Sequence, residues 1–166
     1  MTKTLITYFG TYGTTKKFAE DIQELTGGDL FEIVPVNPYD TDTAHYEELA
    51  EYAKKERDTD ARPAIKTLPN VENYDYIFIG YPMWWYTYPQ IIRTFIESVD
   101  LSGKTIIPFN THEGSGDGGT YKELGEALPN SKVLVGLPIR GQNLKDYNQL
   151  GNIKEWLDSL KIEWSE

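Results

Sequence analysis

The sequence predicts a doubly wound α/β fold, a three-layer sandwich in which a five-stranded parallel sheet of order 2-1-3-4-5 lies between two layers of helices. Short apolar runs rich in β-branched residues alternate with segments whose apolar residues recur at helical spacing. Strands that are separated by helices are joined almost only by right-handed crossovers, which produce parallel sheets. Because 166 residues suit one hydrophobic core, we expect a single domain over residues 1–166.

Each predicted strand is a short apolar run, and the first of them, TLITYF, is typical of a strand that is buried on both faces. The predicted strands span residues 4–9, 29–36, 75–80, 104–109 and 132–139. The predicted helices span residues 16–28, 39–58, 89–103, 120–128 and 144–160, and residues 61–74 form an extended connector. The second helix carries many charges, so we expect a solvated amphipathic helix on the surface.

The composition excludes several kinds of site. The chain has no cysteine and only two histidines, which excludes disulfides and thiolate nucleophiles and disfavours a metal site. Lys and Arg total 16 against 26 Asp and Glu, and the net charge of -10 disfavours nucleic acid as a partner. No run approaches the length of a membrane span and no signal peptide is evident, so we expect no membrane association and a cytoplasmic location.

Three unusual loops are predicted to meet. In an open parallel sheet, ligands bind outside the carboxyl ends of the strands, at the point where the strand order reverses. In the order 2-1-3-4-5 that point lies between the first and third strands. The loops after the first, third and fourth strands should therefore be neighbours, and they read GTYGTT (10–15), YPMWWYTYP (81–89) and NTHEGSGDGG (110–119).

The first loop has the features of an anion site. Gly13 permits a tight turn, and three threonine hydroxyls precede a helix whose first amides lack intrahelical partners. The charges of Lys16 and Lys17 add to the positive electrostatic potential at the start of this helix. Neither the phosphate-loop motif of nucleotide triphosphatases nor the dinucleotide glycine motif is present. A simple helix cap by Thr14 or Thr15 is the alternative interpretation.

The second and third loops supply rings and glycines. Consecutive residues of an irregular loop cannot both point inward, so at least one of Trp84 and Trp85 is predicted to line a surface cleft, where a flat ring could stack. The alternative is that Trp85 and Tyr88 pack on a helix. In the third loop, His112 either donates a hydrogen bond to a developing anion or caps the loop. The glycines there are Gly114, Gly116, Gly118 and Gly119.

Two of these loops resemble a known family. PMWW at residues 82–85 and PFNTHEGSG at residues 108–116 resemble the Pro-x-Trp-Trp and Pro-Phe-x-Thr-His-x-Gly-Ser-Gly segments of a flavodoxin-like family. The resemblance implies noncovalently bound FMN, with its phosphate in the first loop and its isoalloxazine between the other two. The residues implied to bind it are Gly10, Thr11, Tyr12, Gly13, Thr14, Thr15, Pro82, Met83, Trp84, Trp85, Tyr86, Thr111, His112, Glu113, Gly114, Ser115 and Gly116.

The chain departs from that family at two places. Ser or Thr is usual in the first loop where Gly10 and Tyr12 stand here, which leaves the phosphate more dependent on backbone amides and on the three threonines. A glycine usually follows the tryptophan pair, whereas Tyr86 follows here. The extra rings of Tyr86 and Tyr88 are expected to narrow the access to the flavin.

The resemblance implies a redox function. FMN performs the redox chemistry itself, so no catalytic acid, base or metal is expected from the chain. The first hypothesis is a low-potential one-electron carrier that docks on a redox partner protein with a basic face. The alternative is an FMN-dependent oxidoreductase that takes hydride from NAD(P)H and reduces a quinone, azo or nitro compound, with Tyr86 and Tyr88 as a substrate platform. A hydrolase site of Ser115, His112 and Asp117 is disfavoured because the three crowd one loop.

Overall fold

The computed structural model describes residues 3–164, and its sheet confirms the predicted fold class. The strands pair in the order β2-β1-β3-β4-β5, and a sixth short strand also pairs with β4. Every pair is parallel. The strands are β1 Thr4–Tyr8, β2 Asp29–Glu32, β3 Tyr76–Pro82, β4 Thr105–His112, β5 Lys132–Val133 and β6 Leu137–Arg140.

Helices connect the strands and cover both faces of the sheet. They are α1 Thr14–Thr26, α2 Tyr46–Asp58, α3 Gln90–Ser98, α4 Thr120–Ala127, α5 Gly141–Asp146 and α6 Leu150–Ser159, and a 3-10 turn, Thr43–His45, precedes α2. Within residues 3–164, no helix has the length and apolar character needed to cross a membrane.

The core has two halves because side chains alternate across the strands. On one face, Ile77 and Ile79 of β3 pack against the apolar side of α3, including Ile92 and Phe95. On the other face, Phe78 belongs to a cluster with apolar residues of α1 and α6. The near-continuous apolar runs of the sequence therefore correspond to strands that are buried on both sides.

The predicted fifth strand, residues 132–139, is interrupted. Thr105 of β4 pairs with Lys132, and Phe109 of β4 pairs with Leu137. Between these two pairs the edge strand has one residue more than β4, and it divides there into β5 and β6. The interruption lies opposite Pro108, whose ring nitrogen has no hydrogen to donate to a ladder. The prediction of one continuous strand was wrong for this reason.

All five predicted helices shift at one or both ends, and the second and the closing helix differ most from the structure. The closing helix, predicted over residues 144–160, divides at Tyr147, which has an extended backbone, and Asn148 accepts a hydrogen bond from the Leu150 amide to restart the helix. The second helix, predicted from residue 39, begins later because Asp42 is extended and its carboxylate accepts a hydrogen bond from the Ala44 amide. In both segments a polar side chain accepts a hydrogen bond from a backbone amide two residues further on, which competes with helical hydrogen bonding.

Gly80 in β3 fits against an aromatic ring of the neighbouring strand, and this close contact should be sensitive to substitution. A Cβ atom at Gly80 would lie 2.1 Å from Phe109 Cζ, so Gly80→Ala should lower the free energy of unfolding by about 1–3 kcal/mol. Urea denaturation measures this change. Gly125→Ala is the matched control: this position lies in α4 with open space around it, and the variant should be more stable by about 0.5–1 kcal/mol. A Gly80→Ala protein as stable as the wild type would contradict the packing described.

Candidate functional site

The loop after β1 leads into α1, and no side chain caps the start of this helix. Gly13 is the N-cap of α1 with φ of 90° and gives no side-chain hydrogen bond to the helix. The Thr15 hydroxyl instead lies 3.0 Å from the Thr111 hydroxyl, so the alternative in which Thr14 or Thr15 caps the helix is wrong. The first-turn amides of α1 therefore lack an intrahelical acceptor, and together with the helix dipole they favour an anion.

Hydrogen bonds join the three predicted loops at the carboxyl edge of the sheet. The Thr15–Thr111 contact links the loop after β1 to the end of β4. The Met83 amide donates to the Thr111 carbonyl at 2.9 Å, which links the loop after β3 to the same residue. The structure thus brings the three loops together, as the strand order predicts.

The three loops enclose a cleft of about 760 Å³, called here the main cleft. This volume is within the range of small-molecule sites. The residues of the predicted loops that line it are Thr11, Tyr12, Thr14, Thr15, Pro82, Met83, Trp84, Thr111, His112 and Glu113. The remaining predicted residues Gly10, Gly13, Trp85, Tyr86, Gly114, Ser115 and Gly116 do not line it.

A second cavity of about 450 Å³, called here the side compartment, adjoins the main cleft. Trp85, Tyr86 and Ser115 line this compartment rather than the cleft. The two cavities share the lining residues Tyr12, Tyr46, Met83, Trp84 and Glu113.

Residues 84–87 form a tight hairpin, called here the aromatic hairpin. Trp84 and Thr87 exchange backbone hydrogen bonds of 2.9 and 3.2 Å. Trp85 and Tyr86 have φ of 51° and 68°, so both central residues of the turn are left-handed, as in a type I′ turn. Such a turn favours glycine or asparagine, and two aromatic residues there indicate backbone strain at this loop.

The two tryptophans have different environments, and both line a cavity. Trp84 is half-buried and packs edge-on against Phe9 and Tyr39, with ring centroids 5.4 and 5.2 Å apart. Trp85 is 37% exposed and contacts α2, where its indole nitrogen donates to the Ala50 carbonyl at 2.6 Å. The predicted substrate platform is wrong in part, because Tyr88 is fully buried in the core while Tyr86 is 78% exposed.

The loop after β4 depends on its glycines. Buried Asn110 donates through Nδ2 to the Gly116 carbonyl at 2.9 Å, which holds the loop against β4. Gly118 has φ of 56°, in the left-handed region that favours glycine, and a Cβ atom there would lie 2.5 Å from the terminal Cε atom of Met83, which would have to move. Gly118 therefore lies directly against a side chain of the loop after β3.

His112 caps the third loop. Its Nδ1 atom lies 2.9 Å from the Gly114 amide and accepts the hydrogen bond, which leaves Nε2 as the protonated nitrogen of a neutral ring. Burial lowers the pKa of His112, and the Arg140 charge adds to this effect although Glu113 opposes it. Of the two predicted roles, His112 therefore has that of capping the loop. The residue also lines the main cleft, where Nε2–H is a neutral hydrogen-bond donor.

Tyr12 presents a hydroxyl in the wall of the cleft that lacks a partner in the described part of the chain. Its hydroxyl is buried and has no hydrogen-bond partner among residues 3–164. Burial raises the pKa of Tyr12, and the nearby groups Tyr46, Asp40 and Asp42 raise it further, so the hydroxyl keeps its proton at neutral pH. A buried donor without an acceptor carries a desolvation penalty that a ligand oxygen would remove.

Several lining residues were not predicted from the sequence. They come from the segment before α2, from the first residue of α2 and from α5, namely Thr41, Thr43, Tyr46, Gly141, Gln142 and Lys145. Gly141 follows β6 directly, and a Cβ atom there would lie 3.3 Å from Glu113 Oε1. The available signal was topological, since the connections after the second and fifth strands also begin at the carboxyl edge of the sheet.

The strain in the aromatic hairpin gives a stability prediction. Tyr86→Gly should be more stable than Tyr86→Ala by about 1 kcal/mol, because alanine keeps the Cβ penalty of a left-handed residue and glycine does not. At an ordinary position the order would be reversed. Both variants lose the same exposed ring, so their difference in urea denaturation isolates the backbone. Equal stability, or a more stable alanine variant, would show that residue 86 is not held in the left-handed region.

Comparisons with known proteins agree with this architecture. No curated protein matches the sequence. Among solved structures, a candidate flavoprotein from Bacteroides eggerthii is 35% identical, with a TM-score of 0.85 over 98% of this chain and 99% of its own. One from Bacteroides uniformis is 33% identical, with a TM-score of 0.82 over 95% and 98%.

A flavoprotein from Lactobacillus acidophilus, solved in complex with FMN, is 24% identical, with a TM-score of 0.70 over 89% of this chain and 99% of its own. At this identity the likeness shows the fold alone. The model of the family described as Flavodoxin matches residues 3–160, so the chain belongs to the flavodoxin family.

Proposed function

We propose that the protein binds FMN in the main cleft and acts as a low-potential electron carrier. The observation that carries the proposal is the meeting of the uncapped start of α1 with an aromatic wall in one cleft. Family membership and the FMN complex of the Lactobacillus flavoprotein support FMN as the ligand.

The residues of the cleft fit FMN at both ends. The amides at the start of α1 and the hydroxyls of Thr11 and Thr14 would hold the phosphate. Met83, Trp84 and the start of the third loop would hold the flat ring, and the buried Tyr12 hydroxyl would gain an acceptor from the ligand. Bound FMN would supply the one- and two-electron redox chemistry, for which the chain provides position and electrostatics.

Carboxylates near the cleft support a low reduction potential. Glu113 lines both cavities, and Asp40 and Asp42 lie close enough to Tyr12 to raise its pKa. Negative charge beside the cleft disfavours a reduced, anionic cofactor, which lowers the potential at which the cofactor accepts electrons. The net charge of -10 would also steer a protein partner with a basic docking face towards the molecule.

The phosphate position is tested by Thr14→Asp. A carboxylate at the start of α1 should repel the phosphate and weaken FMN binding at least tenfold, about 1.4 kcal/mol. Riboflavin, which lacks the phosphate, is the matched ligand control and should bind both proteins equally. The variant should fold normally because an acidic residue in the first turn stabilises a helix. Fluorescence titration with both ligands measures the effect, and unchanged FMN affinity would place the phosphate elsewhere.

The contribution of the Glu113 charge to the reduction potential is tested by Glu113→Gln. Removing this charge should raise the reduction potential of bound FMN by up to about 60 mV, a tenfold change in a one-electron equilibrium. Glu163→Gln is the control, because Glu163 precedes Trp164, whose ring packs on Tyr76 at the opposite, amino-terminal edge of the sheet. Equal reduction potentials for Glu113→Gln and Glu163→Gln would contradict a contribution of the Glu113 charge.

The carrier role itself requires two separate one-electron steps during photoreduction. A single two-electron step would contradict this role.

The side compartment favours a second candidate function, an FMN-dependent oxidoreductase that transfers electrons from NAD(P)H to a quinone or a similar aromatic acceptor. Its aromatic and apolar lining adjoins the proposed cofactor cleft. Steady-state assay with NADPH and menadione distinguishes the two roles, because a pure carrier would show no turnover. A cytoplasmic location remains a prediction from the sequence.

A further inference from the structure

We propose that a third cavity, which lies between α2 and the connector that follows it, binds a small organic ammonium ion. The cavity, called here the connector cavity, has a volume of about 360 Å³ and is bounded by α2, by residues 35–39 and by residues 61–64. It shares no lining residue with the main cleft or the side compartment. Its ligand is therefore distinct from FMN and from any molecule that FMN reduces.

A buried carboxylate in the wall of this cavity lacks a cationic partner. Glu56 lines the cavity and is only 8% exposed. Within residues 3–164, its carboxylate accepts a hydrogen bond only from the Tyr39 hydroxyl, which lies 2.8 and 3.1 Å from its two oxygens, and no cation pairs with it. Burial raises the pKa of Glu56, although the Tyr39 hydrogen bond opposes this effect. Because a buried charge without a counter-charge is costly, a bound cation would stabilise this residue.

The other walls favour an organic cation over a metal ion. The rings of Tyr39 and Tyr52 both line the cavity, with their centroids 5.7 Å apart and their planes at 81°. Cations are attracted to the faces of such rings, and methyl groups on a cation would also contact Pro35 and Pro63. A metal ion needs several ligating side chains, and the described residues hold no group of three that could bind one.

Two cationic side chains also line the cavity, but both oppose a cationic ligand only weakly. The Arg62 guanidinium pairs with Glu97 at 2.8 Å and with Asp60 at 2.7 Å, so two carboxylates compensate its charge. Lys55 is exposed, and water and salt screen its ammonium group. The buried Glu56 carboxylate is screened less, and it would repel an anionic ligand.

Hydrogen bonds hold the walls of the connector cavity in place before a ligand binds. The Val36 amide donates to the Ala64 carbonyl at 2.9 Å and the Lys66 amide donates to the Val34 carbonyl at 2.8 Å, which joins the two extended segments. The Ala61 amide donates to the Glu56 carbonyl at 2.9 Å and fixes the start of the connector against the end of α2. A preformed site reduces the entropy lost on binding.

The test uses choline as the probe and isothermal titration calorimetry of the full chain as the measurement. Dimethylbutanol, in which a carbon atom replaces the charged nitrogen of choline, is the uncharged control ligand. Glu56→Gln removes the charge and keeps an acceptor for the Tyr39 hydroxyl, and Glu51→Gln is the matched control at an exposed position of α2 that does not line the cavity. Tyr52→Leu removes a ring from the cavity, and Tyr147→Leu removes an exposed ring elsewhere.

We expect the wild type and Glu51→Gln to bind choline equally, and Glu56→Gln to bind it at least tenfold more weakly, a loss of about 1.4 kcal/mol. Tyr52→Leu should bind choline about two- to fivefold more weakly, and Tyr147→Leu should bind it as the wild type does. Dimethylbutanol should bind the wild type more weakly than choline does. In the wild type, nuclear Overhauser effects should connect the choline methyl protons with the ring protons of Tyr39 and Tyr52, a measurement that does not depend on how a variant folds.

A wild type that does not bind choline would overturn the proposal, as would equal choline affinity of the wild type and Glu56→Gln. Equal affinity of the wild type for choline and dimethylbutanol, or choline methyl protons that contact neither tyrosine ring, would overturn it as well. The titrations are made with and without FMN. Because the two sites share no lining residue, choline should bind in both conditions, and a failure of FMN to bind would leave the ammonium site intact.

Discussion

Parallel pairing of β1, β3 and β4 is the constraint on which the candidate site depends. It brings the carboxyl ends of three strands to one edge of the sheet, although the loops that follow them are far apart in the sequence. Thr111 at the end of β4 then contacts both other loops, through its hydroxyl to Thr15 and through its carbonyl to the Met83 amide. Because these contacts are buried and hydrogen-bonded, the relative positions of the loops follow from the sheet and not from a bound ligand.

The site divides into a polar part and an apolar part with different structural origins. The polar part is made by the start of α1, where backbone amides and threonine hydroxyls face the cleft. The apolar part is made by the aromatic hairpin and α2, which contact each other through Trp85. The hairpin holds two left-handed aromatic residues, and its strain is offset by packing of Trp84 against Phe9 and by the hydrogen bonds of Trp85 to α2.

The strand order and the convergence of the loops could be predicted from the sequence, because apolar periodicity identifies strands and helices and parallel topology has few solutions. The break in the fifth strand could not, since it depends on the register that sets Pro108 opposite the extra residue. The left-handed turn at Trp85 and Tyr86 gave no local signal, as neither residue type favours it. The sequence predicts the second helix as a solvated amphipathic helix on the surface, and only the fold shows that Leu49 and Ala53 line a cavity beside the hairpin.

The central claim is that the start of α1, the aromatic hairpin and the loop after β4 enclose one phosphorylated, flat cofactor. A crystal structure of the protein grown with FMN tests it most directly. The account predicts the phosphate within hydrogen-bonding distance of the first amides of α1, and the isoalloxazine between Met83 and Glu113. A phosphate bound away from α1, or a main cleft without FMN at saturating concentration, would contradict it.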